Sequence, residues 1–213
     1  MALIRVINPN SNQDVTDGLA DALAGFAIPD RIEISCETLE DGPFGIESQR
    51  DVDAVALPLA ERMHACPADA FVIACYSDPG LALCRSEIEA PVFGIQESGI
   101  AMALTRGERF GVIAITEASI PRHLRAIRAM GVESRLAAER PLNLTVAESA
   151  GAAVFGRLAT TGAALRDQDG ADVLVLGCAG MARHRAKLEA ELGCPVIDPA
   201  QAATAHAIGA LLV

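Results

Sequence analysis

Along this chain, short runs that are apolar at every position alternate with stretches whose apolar residues recur every three or four positions. Runs such as "FVIAC" (71–75) and "VLVLGC" (173–178) suit strands covered on both faces. On this pattern strands are predicted near Leu3–Asn8, Arg31–Cys36, Ala70–Cys75, Val92–Gln96, Phe110–Ile115, Ser134–Ala138, Asp172–Cys178 and Pro195–Ile197. Helices are predicted over Asn12–Ala24, Val52–Cys66, Ile120–Met130, Ala147–Arg166 and Met181–Leu192, with a last one over Ala200–Leu212. Strand and helix in alternation, with strands of this kind, imply an α/β fold built on mainly parallel sheets.

The plan occurs twice. "LIRVINPNS" is followed at a distance by "FVIACYSDPG", and "RFGVIAITEAS" at a similar distance by "VLVLGCAGM". Two pseudo-symmetric α/β units of about four strands each fit the chain better than one long sheet. The expected division is 1–97 plus 199–213 for the first unit and 98–198 for the second. The switch falls near "GIQESGIAMALTRGE" (94–108), and the last helix packs back on the first unit.

Composition narrows the function. Hydrophobic residues make up 51% of 213 and charged residues 21%, a globular profile with an aliphatic core. Aromatic residues are 3% with no Trp, which speaks against a base-stacking surface, and a net charge of −11 repels nucleic acids and anionic lipid. No apolar run reaches the roughly 18 residues of a membrane span, and "MALIRVINPN" does not read as a signal peptide. A cytoplasmic setting is expected, with six free thiols rather than disulfides. The cysteines and His64, His123, His184 and His206 show no metal-ligand spacing, so no metal site is expected. Nucleotide-loop and zinc-hydrolase motifs are lacking too.

In parallel α/β sheets ligands bind beyond the carboxyl ends of the strands. Four segments carry polar or reactive groups there: Asn8 to Ser11, Cys75 to Asp78, Ile115 to Ser119, and Cys178 to Gly180. If the two units face each other, these segments line one cleft with a thiol on each wall. Asp78 is placed to cap the helix after it, with Pro79 in its first turn, and "GCAGM" offers open backbone N–H groups to an anion. A cysteine at the end of one apolar strand is most simply packing, but two at equivalent places point to chemistry. Cys36, Cys66, Cys84 and Cys194 lack such neighbours and read as packing thiols. His184 is expected on a solvated helix face; His123, at a helix start, is expected at the surface, with the cleft as the alternative. Asn10 and Ser11 also suit capping of the first helix, and Thr116 suits a cap.

The ordered set "RVINPNS", "DGPFGIES", "ACYSDPGL", "PVFGI", "RFGVIAIT" and "LGCAGMA" resembles the hydantoin and allantoin racemases of the aspartate/glutamate racemase superfamily, over nearly the whole chain. The resemblance implies two units with the active site between them and racemisation without a cofactor. It makes Cys75 and Cys178 the catalytic pair, one removing the proton from a stereogenic carbon and the other returning one to the opposite face. It makes Asn8, Asn10, Ser11, Tyr76, Ser77, Thr116, Ala179 and Gly180 the groups that hold a small-molecule substrate. A chain of this kind is also expected to self-associate.

Two departures bear on the substrate. Amino-acid racemases of the superfamily typically carry Cys-Asn-Thr and Cys-Thr where this chain has Cys75-Tyr76-Ser77 and Cys178-Ala179-Gly180, which favours a cyclic ureide. Ile115 precedes Thr116 where the ureide branch often has two threonines, so one polar contact is missing. A one-cysteine isomerase or decarboxylase is a second reading, weakened by retention of both thiols. An amino-acid racemase and a non-catalytic binding protein complete the alternatives.

Overall fold

The computed structural model describes residues 1–149 and 152–213. The first half runs β1 (Ala2–Asn8), α1 (Gln13–Leu23), β2 (Ile32–Thr38), α2 (Gln49–Ala54), α3 (Ala56–Ala65), β3 (Ala70–Ile73), α4 (Leu81–Glu87), β4 (Val92–Gly94) and α5 (Ile95–Leu104). The second half runs β5 (Phe110–Ala114), α6 (Ile120–Ala129), β6 (Leu136–Pro141), α7 (Val146–Ser149), α8 (Phe155–Asp167), β7 (Val173–Gly177), α9 (Arg185–Leu192), β8 (Val196–Ile197) and α10 (Pro199–Leu212). The strands form two sheets, ordered β2-β1-β3-β4 and β6-β5-β7-β8, parallel throughout. The two orders are the same under β1 to β5, β2 to β6, β3 to β7 and β4 to β8. This is the doubling expected from the repeat.

That order decides where a ligand fits. In each sheet the chain leaves the first strand to one side and returns on its other side, so a crevice opens beyond the carboxyl ends of the two central strands. Ile7 is level with Ile73, and Ala114 with Gly177. The next residues along β1 and β3 lead to Asn8, Ala74 and Cys75, and those along β5 and β7 to Ile115 and Cys178. Of the four central strands, β3, β5 and β7 are fully buried, as continuous apolar runs require.

Several elements depart from expectation for local reasons. Val52–Cys66 is two helices, because Pro58 has no N–H to offer the carbonyl four residues back and the chain breaks at Val55. The strand expected at Ser134–Ala138 lies at Leu136–Pro141, after a 3-10 turn over Glu133–Arg135. Met181–Leu192 starts as a 3-10 stretch, Ala179–His184, and is α-helical only from Arg185. Ala147–Arg166 corresponds to α7 and α8, and residues 150 and 151 between them lie outside the described residues. The stretch read as a switch holds α5, which packs on α10 and on strands of both sheets. One large aliphatic core runs through both units, and a smaller one joins Ile7, Phe71 and Ile73 to Leu59 and Met63 of α3.

Candidate active site

Beyond the four central strand ends lies a narrow cavity of about 30 Å³. Of the residues singled out in the sequence, Asn10, Cys75, Tyr76, Ser77, Cys178 and Ala179 line it. Asn8, Ser11, Thr116 and Gly180 do not. Asn8 is wholly buried behind Asn10, and its Nδ2 donates to Asn10 Oδ1, Asn12 O and Thr16 Oγ1, each at 3.1 Å. The cap of α1 is Asn12, not Asn10 or Ser11. Asn10 Oδ1 also accepts from Asn12 N at 2.9 Å, which fixes the amide's orientation and leaves its Nδ2 donors without a partner among the described residues. Thr116 uses its carbonyl to accept from Ser119, and Ile115 takes the place on the wall.

The two thiols have matching backbone settings. The N–H of Ser77 is directed at Cys75 and that of Gly180 at Cys178, each two residues on from its cysteine. Burial pushes the Cys75 thiol up to about 12; the Ser77 N–H opposes this, Cys178 and Asp78 add to it, and Arg122 opposes it. Burial also raises Cys178, against the Ser149 hydroxyl and the Gly180 N–H, while Asp198 and Glu47 reinforce the rise. A charge on Cys178 thus opposes ionisation of Cys75, which links the two titrations. All six cysteines are free, and the other four do not line this cavity.

Asp78 does something other than expected. It does not cap α4, which begins after Gly80 without a side-chain cap. Its two oxygens instead accept from Gln96 N at 2.8 Å and Glu97 N at 2.9 Å, closing the first turn of α5. This needs a bare Gly94, since a Cβ there would sit 2.3 Å from Asp78 Cγ. Asp78 thus ties the turn behind Cys75 to the helix between the two sheets. Burial lifts its carboxyl to about 7 from an ordinary 3.8, with the two N–H groups opposing. The folded state then holds a proton up to about pH 7 that the unfolded chain releases near pH 4. Stability drawn from this group is present at low pH and falls as pH rises between those values. Denaturant titrations of wild type and Asp78→Asn are expected to show the wild type gaining on the variant from pH 8 to pH 5, by at most about 1.4 kcal/mol per pH unit. A constant difference would show that Asp78 stays ionised.

Comparison with known proteins agrees with this architecture. The match to the Asp/Glu/hydantoin racemase family runs over residues 4–207. The chain belongs to that family. A hydantoin racemase of Paenarthrobacter aurescens is 36% identical over 208 residues, spanning 94% of this chain and 87% of its own. An allantoin racemase from Klebsiella pneumoniae superposes with a TM-score of 0.92 at 28% identity, covering 100% of this chain and 88% of that one. One from Pseudomonas fluorescens gives 0.93 at 25%, covering 99% and 91%. The protein is an isomerase of the racemase kind.

This racemase also brings to its cavity side chains that the sequence reading set aside. His123 lines the wall and is 2% exposed, not at the surface. Its Nδ1 is bonded to the equally buried Glu139, and its ring meets Tyr76 edge-on with centroids 4.9 Å apart. His184 is buried as well, beside the Phe155 ring. Arg122 reaches across from α6, its Nε donating to Ser77 Oγ at 3.4 Å. A signal for His123 was present: with Ile120 and Ile127 it continues one helical stripe, the face that packs inward. Nothing in the sequence marks Glu139 as its partner. Among the described residues no three potential metal ligands cluster, and no helix is long and apolar enough to cross a membrane.

Proposed function

We propose that this racemase inverts the stereogenic carbon of a cyclic ureide, a 5-substituted hydantoin or allantoin, by proton transfer between Cys75 and Cys178 without a cofactor. The reading rests on one observation: two thiols from equivalent strand ends of two matching sheets border one small cavity. In such a site one thiolate takes the proton from carbon, and the electron pair left behind delocalises into the adjacent carbonyl. The other thiol then protonates the opposite face, and the charge ends on the second sulfur. Residues 1–97 with 199–213 would form the half carrying Cys75, and residues 98–198 the half carrying Cys178.

The remaining wall suits such a substrate. The uncommitted Nδ2 of Asn10 and the Ser77 hydroxyl offer donors to ring carbonyls, and Arg122 offers positive charge as the enolate forms. Val15, Ile46 and Val146 offer an apolar surface to a 5-substituent. The named activities of the relatives, hydantoin and allantoin racemisation, point the same way. Single-enantiomer hydantoins and allantoin, incubated with the enzyme in D2O, are expected to lose circular dichroism as deuterium enters at the stereogenic carbon, well above the uncatalysed rate. Exchange of aspartate or glutamate with none of the ureides would overturn the substrate assignment.

A further inference from the structure

The two half-sites match in backbone but not in side chains. Cys178 has a hydroxyl against its sulfur: Ser149 Oγ lies 3.5 Å from Sγ and is wholly buried. Cys75 has no side-chain hydrogen bond among the described residues and relies on the Ser77 N–H. We propose that Ser149 is a positioning residue that makes Cys178 the more readily ionised thiol of the pair, an inference that rests on the two-thiol reading above.

The geometry lets Ser149 serve both states of the sulfur. Its Oγ is also 2.7 Å from Val146 O. When Cys178 is a thiol, the hydroxyl donates to that carbonyl and the S–H donates to Oγ. When Cys178 is a thiolate, the hydroxyl turns and donates to Sγ instead. The exchange replaces a neutral hydrogen bond by a charge-assisted one, roughly twice as strong. Other charges face the pair. Asp198 and Glu47 disfavour a charge on Cys178, Asp78 disfavours one on Cys75, and Arg122 favours one there. For Cys178 the Ser149 contact and the Gly180 N–H outweigh both carboxylates, because they act on the sulfur directly. Arg122 makes no hydrogen bond to Cys75; among the described residues its bonds go to Ser77 and Ala118. It therefore steadies the opposite protonation state, reached once the proton has crossed the substrate, without making it the favoured one.

The test is the pH dependence of iodoacetamide labelling at each cysteine, read by peptide mass spectrometry on the full chain. Accessibility scales a labelling rate at every pH and leaves its midpoint unchanged, so midpoints report the thiolate. In the wild type the Cys178 midpoint is expected below that of Cys75. In Ser149→Ala it is expected to rise by about one pH unit, the worth of one such bond, with no rise at Cys75, and Ser149→Thr is expected to restore it. A wild type in which Cys75 has the lower midpoint, or a folded Ser149→Ala with an unmoved Cys178 midpoint, would overturn the proposal. The wild-type order alone decides the matter if Ser149→Ala does not fold. Undiminished racemisation by both cysteine variants would sink the two-thiol mechanism separately, and the midpoints would still be readable.

Discussion

Cys75→Ser and Cys178→Ser are each expected to lower racemisation of the true substrate by about 10²–10⁴-fold, the usual loss on removing a general acid or base. A serine hydroxyl fits either place but holds its proton far too tightly to act as a base in a buried site. The loss should be similar in the two variants, because inversion needs one group to take the proton and another to return it. Circular dichroism melts should stay close to wild type, since neither sulfur carries a structural bond that serine cannot replace. Cys84→Ser offers the contrast, being buried in the smaller core and no part of the cavity wall. A pair of variants that both racemise at the wild-type rate would remove the thiols from the mechanism.

Gly177→Ala is expected to damage both stability and turnover. Gly177 ends β7 immediately before Cys178, where β7 runs alongside β5. A Cβ there would lie 2.5 Å from Ile113 O and 3.1 Å from Ala114 Cα. Those are backbone atoms in a sheet, so the strands themselves must part. A forced fit of this kind costs about 1–3 kcal/mol or somewhat more, which in a chain of this size lowers Tm by about 3–10 °C. Because the displacement falls next to the sulfur, activity measured well below Tm should drop too. Gly209→Ala in α10, where nothing lies within 4 Å, is the control and should keep the rate while leaving Tm unchanged or raising it slightly, since alanine suits a helix better. A Gly177→Ala protein with wild-type Tm and rate would show that the strand ends are looser than the structure has them.

What could be read from the sequence was what repeats and what is local. The strands stood out because a strand buried on both faces writes itself as an unbroken apolar run, as "AFVI" and "VLVLG" do. The thiols stood out because the run ends on cysteine twice. Helix α5 did not, since it is enclosed between the two sheets and buries Gln96 and Ser98 along with Ile95, Ile100 and Ala103. A helix enclosed on all sides has no polar stripe to reveal its period. Asp78 was given to the nearer helix because capping is ordinarily local, whereas its partners Gln96 and Glu97 lie 18 and 19 residues away. The pairing of His123 with Glu139, and the approach of Ser149 to Cys178, join elements that only the folded sheet brings together.

The hydroxyl beside one sulfur and the guanidinium beside the other make the two halves chemically unequal, yet that inequality leaves no mark on the product. Mirror-image forms of a substrate with one stereogenic carbon have the same free energy in water, so their equilibrium constant is one. Thermodynamics then requires equal kcat/KM for the two hands, whatever the side chains around each thiol. Lopsidedness can enter only through how readily each hand saturates the enzyme and how fast the saturated enzyme turns over. Selection is thus free to vary one wall of the cavity without the other, and the final mixture stays even.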